Sequence, residues 1–85
     1  MKHVTDAGLD ELDGLLVDLR GVDGLREKSR GVFYRGSRAF LHFHEDPTGL
    51  YADVRVDGAE FERMRVTTKA ERERLLSRVR SALRR

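Results

Sequence analysis

Eighty-five residues suffice for one modest core, which would bury less than about two-thirds of the unfolded surface. At 39% hydrophobic and 38% charged the chain is polar for a globular protein, yet its apolar residues recur at regular spacing, as disordered chains rarely manage. The absence of Cys excludes a disulfide framework, thiol redox chemistry and a Cys-based zinc site; with no apolar run near the length of a membrane span and an early polar N-terminus, we expect a cytoplasmic protein with no leader and no membrane partner.

Leu9, Leu12, Leu16 and Leu19 fall at helical spacing and predict one amphipathic helix over Asp6 to Arg20, with Thr5 or Asp6 as its N-cap and Gly21 as its stop. Gly8 and Gly14 weaken it by about 1 kcal/mol each, so packing of the leucine stripe must hold it. A Gly-containing connection then leads to a first strand over Val32 to Arg35. Gly36-Ser37 suits a two-residue hairpin turn, which would pair Arg35 with Arg38, Tyr34 with Ala39, Phe33 with Phe40 and Val32 with Leu41.

A second strand follows from Arg38 to Glu45, and Asp46-Pro47-Thr48-Gly49 reads as a turn. A third strand from Leu50 to about Val56 would pair Glu45 with Leu50, His44 with Tyr51, Phe43 with Ala52, His42 with Asp53, Leu41 with Val54 and Phe40 with Arg55. Together the hairpins put Val32, Tyr34, Ala39, Leu41, Phe43, Ala52, Val54 and Val56 on an inner face. Phe33, Phe40, His42, His44, Tyr51, Asp53 and Arg55 fall on an outer face.

Residues 59 to 66 fit either a short helix bearing Phe61 and Met64 or a fourth, edge strand bearing Met64 and Val66. Thr68 with Glu71 forms a capping box, and Leu75, Leu76, Val79, Ala82 and Leu83 predict a C-terminal helix from about Lys69 to Leu83. The expectation is one small α+β domain over residues 1 to 85: an N-terminal helix, an antiparallel meander of three or four strands and a C-terminal helix, both helices on one sheet face.

The outer face carries the chemistry. Phe33, Phe40, Tyr51, His42 and His44 form an aromatic cluster ringed by Arg35, Arg38 and Arg55, and with Asp53 they make a face suited to a protein chain, a second copy of this chain or a small planar ligand. The plainer alternative is that Phe61 and its connection fold over this face. His42 and His44, two apart on a strand, with Asp53 opposite His42, also make a possible ligand set for a divalent ion such as zinc, with hydrolytic chemistry at an open position. Ordinary cross-strand pairing, His42 with Asp53 and His44 against Tyr51, is the simpler expectation for these residues. Ser29, Ser37, Ser77 and Ser81 lie in a loop, a turn or the last helix and give no nucleophile spacing, so enzymatic activity is not the expectation and no cofactor is implied outside the zinc reading.

Net charge runs from −2 over residues 1 to 30, through −1 over 31 to 58, to +5 over 59 to 85. Arg72, Arg74, Arg78 and Arg80 on the last helix could touch phosphates of a nucleic acid, although a solvated helix face beside an acidic first helix accounts for them better. Arg outnumbers Lys fourteen to three and Ile, Asn and Gln are missing, a bias that fits a GC-rich coding sequence better than phosphate recognition.

The segment Gly31-Val-Phe-Tyr-Arg-Gly-Ser-Arg-Ala-Phe-Leu-His-Phe-His44, followed by Leu50-Tyr-Ala-Asp-Val-Arg55, resembles a pattern in small proteins of unassigned function from high-GC bacteria. More distantly, the leading helix, the Gly-Val-Asp-Gly connection at Gly21 to Gly24 and the short strands resemble the start of the MmcQ/YjbR-like family. That resemblance implies an α/β arrangement over residues 14 to 56, with DNA binding suggested from fold.

Overall fold

The computed structural model describes residues 1 to 84. Its first strand, β1 (Lys2–His3), lies below the length that sequence patterning can detect. The Thr5 side chain then accepts the Gly8 N–H at 3.1 Å and caps α1 (Asp6–Glu11). The single helix expected over residues 6 to 20 is broken: Leu12 leaves helical geometry at φ −89° and ψ 7°, and α2 (Asp13–Arg20) begins after it. The break falls between Gly8 and Gly14, the two residues of weakest helix propensity. Leu9, Leu12, Leu15, Leu16 and Leu19 are all buried, so packing holds both pieces.

The connection that follows is not a loop. Leu25–Ser29 forms β2, which pairs with β3 (Val32–Arg35) through a turn at Arg30-Gly31. Its sequence, Leu-Arg-Glu-Lys-Ser, has no alternation because it is an edge strand with a bulge, and only Leu25 and Glu27 are half-buried. Gly31 is required twice: its φ is +80°, and a Cβ there would meet Leu9 Cδ2 at 2.6 Å.

β4 (Arg38–Asp46) and β5 (Gly49–Val54) pair in the expected register, from Leu41 with Val54 to Glu45 with Leu50, and the Arg55 N–H donates to Phe40 O at 2.9 Å. The first hairpin differs. Arg35 pairs with Arg38 and Tyr34 with Ala39, but Phe33 pairs with Leu41, leaving Phe40 as an extra residue in β4. This bulge reverses the faces beyond it. Phe33 and Phe40, expected outside, are buried in the core, while Val32, Tyr34 and Ala39, expected inside, turn outward. The driving force is apolar burial: Phe33, Phe40 and Leu41 share the inner face, each large side chain contributing about 1.5 to 3 kcal/mol.

Residues 62 to 65 settle as an edge strand, β6 (Glu62–Arg65), with Met64 opposite Ala52 on the inner side. The last helix, α3 (Lys69–Leu83), has both halves of its capping box: Thr68 Oγ1 accepts from Glu71 N and Glu71 Oε1 from Thr68 N. The fold is therefore α+β, with a six-stranded antiparallel sheet and three helices among the described residues. The sheet order is β2-β3-β4-β5-β6, with β1 beside the far end of β4, so three or four strands was an undercount. The leucines of α1 and α2 and the apolar stripe of α3 form one core with the inner sheet face. Among the described residues no helix is long and apolar enough to cross a membrane.

Candidate functional site

With the helices on one side, the residues that β4 and β5 direct to the other decide what the sheet offers. The β4–β5 register sets His42 opposite Asp53 and His44 opposite Tyr51. His44 leans along the diagonal, its Nε2 standing 3.1 Å from Asp53 Oδ2. One ligand-type atom each from His42, His44 and Asp53 lies within 4.8 Å of the others. Nδ1 of both histidines is buried and finds no hydrogen-bond partner among the described residues. Buried polar nitrogens are normally paired, so two neighbouring orphans set this cluster apart.

Three residues outside the expected set complete its surroundings. Arg63, opposite Asp53 on β6, donates from Nε to Oδ1 at 2.8 Å and from Nη2 to Oδ2 at 2.9 Å. This two-pronged pair holds the Asp53 carboxyl below the usual carboxylate range even though burial acts the other way. The His3 ring stacks on His44 at 5.2 Å between centroids. Phe61 meets His42 edge-on at 4.8 Å, so the connection before β6 folds over part of this face. Burial and the neighbouring His44 push the His42 imidazole down, against a smaller opposing pull from Asp53.

A zinc-class ion sits about 2.0 to 2.2 Å from imidazole nitrogen and carboxylate oxygen, which spaces tetrahedral donors about 3.3 to 3.6 Å apart. The spacing of His44 Nε2 and Asp53 Oδ2 is close to that requirement, and the wider limit of the cluster needs closing by about 1.2 to 1.5 Å, within reach of side-chain rotation. Asp53 must also share its carboxylate with Arg63 or release it.

The remaining expected residues lie elsewhere. Phe33 and Phe40 are in the core. Tyr51 stays on the outer face, but its hydroxyl is 2.6 Å from Thr48 Oγ1, at the β4–β5 turn. Arg55 donates to Ala39 O and Ala59 O at 2.9 Å each, and its guanidinium sits 4.1 Å over the Phe61 ring. On α3, Arg72 is spent on Val66 O and Thr67 O and Arg78 on Glu62, while Arg74 and Arg80 are exposed without an ion pair among the described residues.

His3 carried no sequence signal, because it is distant from His44 along the chain and belongs to a strand of only two residues. Arg63 had one: once residues 62 to 65 are taken as a strand, alternation puts Met64 inward and Arg63 outward. No protein-family model, curated protein or solved structure matches this chain.

Proposed function

We propose that this protein is a small binding module whose outer sheet face takes a divalent transition-metal ion on His42, His44 and Asp53. The observation that carries the reading is the convergence of two imidazoles and a carboxylate within 4.8 Å, with an orphaned buried nitrogen on each imidazole. Neutral imidazole and ionised carboxylate are the protonation states a metal needs, and the downward shifts at His42 and Asp53 favour both. Three protein donors leave a further position for water or a small ligand, which makes ester hydrolysis the chemistry to assay once the ion is bound.

Titration of metal-free protein with zinc, followed by amide-resolved NMR, tests the reading. Saturable shifts confined to residues 42 to 44, 51 to 53 and 61 to 65 are expected. They should vanish when His42→Ala and His44→Ala are combined. Arg63→Gln should tighten zinc binding by freeing Asp53, whereas a purely structural cluster gains nothing from that change. Shifts that never saturate, or that persist in the double variant, refute the proposal.

A further inference from the structure

The tip of the β3–β4 hairpin holds charge that the fold does not compensate. Arg35 and Arg38 stand directly opposite one another across the Gly36-Ser37 turn. Like charges so placed destabilise an antiparallel pair. Arg55 reaches the same place from the end of β5, and the three arginines with Phe40 and Gly58 line a cleft of about 150 Å³. No acidic residue lines it, and none of the three arginines enters an ion pair among the described residues. Asp57 and Glu60 occupy the neighbouring turn but are exposed and pair with none of them.

Backbone carbonyls hold two of these guanidinium groups. Arg38 Nη1 donates to Gly58 O, and Arg55 to Ala39 O and Ala59 O, at 2.9 Å in each case. A carbonyl fixes a guanidinium in place without neutralising it. Each guanidinium carries five N–H donors, so most remain free, and Arg35 donates to no described acceptor.

We propose that this cleft binds a phosphate monoester dianion, free or as the terminal group of a small molecule. The space suits one compact tetrahedral group, whose oxygens can meet the remaining N–H groups of three guanidiniums that reach it from β3, from β4 and from the residue after β5. A planar carboxylate satisfies one fork and leaves the others facing each other. A phosphodiester strand needs a groove that continues past the cleft. The ligand's charge also removes the repulsion between Arg35 and Arg38 that the unliganded hairpin carries.

The test is a titration with inorganic phosphate above its second pKa, at constant ionic strength in chloride, read by amide-resolved NMR. Saturable shifts are expected at residues 35 to 39, 55 and 58 to 60. Arg35→Gln should weaken binding at least about tenfold. It should leave the melting temperature unchanged or raised, because the opposed pair is relieved. Arg35→Lys, which keeps the charge and loses the fork, should fall between the two. Equal affinity for acetate, shifts that follow ionic strength without saturating, or undiminished binding by Arg35→Gln overturn the proposal. So does a short single-stranded oligonucleotide that shifts these residues when phosphate does not.

Discussion

The bulge at Phe40 decides which aromatic side chains are available for recognition, and the neighbours Phe33 and Tyr34 test it most directly. Phe33 is fully buried, so Phe33→Ala removes a core ring and leaves a cavity, at a cost of about 3 to 5 kcal/mol. Tyr34 is half-buried on the outer face, with the Lys28 ammonium 4.4 Å from its ring centroid. Tyr34→Ala then costs about 1 to 1.5 kcal/mol, from partial burial and that cation–π contact. For a domain of this size each kcal/mol moves the melting temperature by about 4 to 8 °C, so the variants should separate by about 6 °C or more. Thermal denaturation followed by circular dichroism reads both. Should Phe33→Ala leave no folded protein, Phe33→Leu beside Tyr34→Leu gives the same ranking on a smaller scale. Equal costs, or a larger one at Tyr34, would refute the bulge and return Phe33 to the outer face.

Acid stability should depend on Glu27. Its carboxylate takes Arg20 Nε at 2.6 Å and the Gly31 N–H at 2.9 Å, and the Arg20 bond, ahead of the Gly31 one, holds its pKa below the ordinary value against desolvation. Stability from this lowered pKa is complete above the unfolded value of about 4.3 and is lost as pH falls through the folded one. Glu27→Gln should therefore flatten the drop in melting temperature between about pH 5 and pH 3, and an unchanged slope would count against the clamp. Thr68→Ala, which removes half of the α3 capping box, should cost about 1 kcal/mol in thermal unfolding, and no loss would show that the cap contributes nothing.

The parts of this fold legible in the sequence are those where local chemistry and burial agree. The α3 boundaries follow from Thr68, Glu71 and a continuous apolar stripe. The β4–β5 register follows from alternation on both strands around Pro47-Thr48, which placed His42 opposite Asp53 correctly. Where local signals are silent, tertiary context decides. β1 and β2 have no periodicity because one is two residues long and the other is a polar, bulged edge. Phe33 and Phe40 were misplaced because one inserted residue inverts a strand's parity, and nothing in Tyr34-Arg35-Gly36-Ser37-Arg38-Ala39 announces the insertion. The opposed Arg35 and Arg38 were predictable from the turn, but their uncompensated state depended on where residues 57 to 60 fold.

The inversion also reshapes the outer face. An aromatic wall of Phe33, Phe40 and Tyr51 would have favoured a broad apolar partner. The bulge exchanges Phe33 and Phe40 for Val32, Tyr34 and Ala39, and beside these stand the imidazoles of His3, His42 and His44 around one carboxylate, with Phe61 covering one flank. The imidazoles of His42 and His44 and the carboxylate supply the donor atoms on which the proposed metal site rests. Arg63 then has two opposing effects on the proposed ion. It keeps Asp53 ionised at low pH, as a metal ligand must be, and it competes for the same oxygens. Binding in the native protein should therefore be weaker than the donor set alone would give, and accompanied by movement of β6 as Arg63 is released. That coupling links the metal cluster to the strand edge: zinc-dependent shifts at Glu62 and Met64, residues that supply no ligand, are its signature.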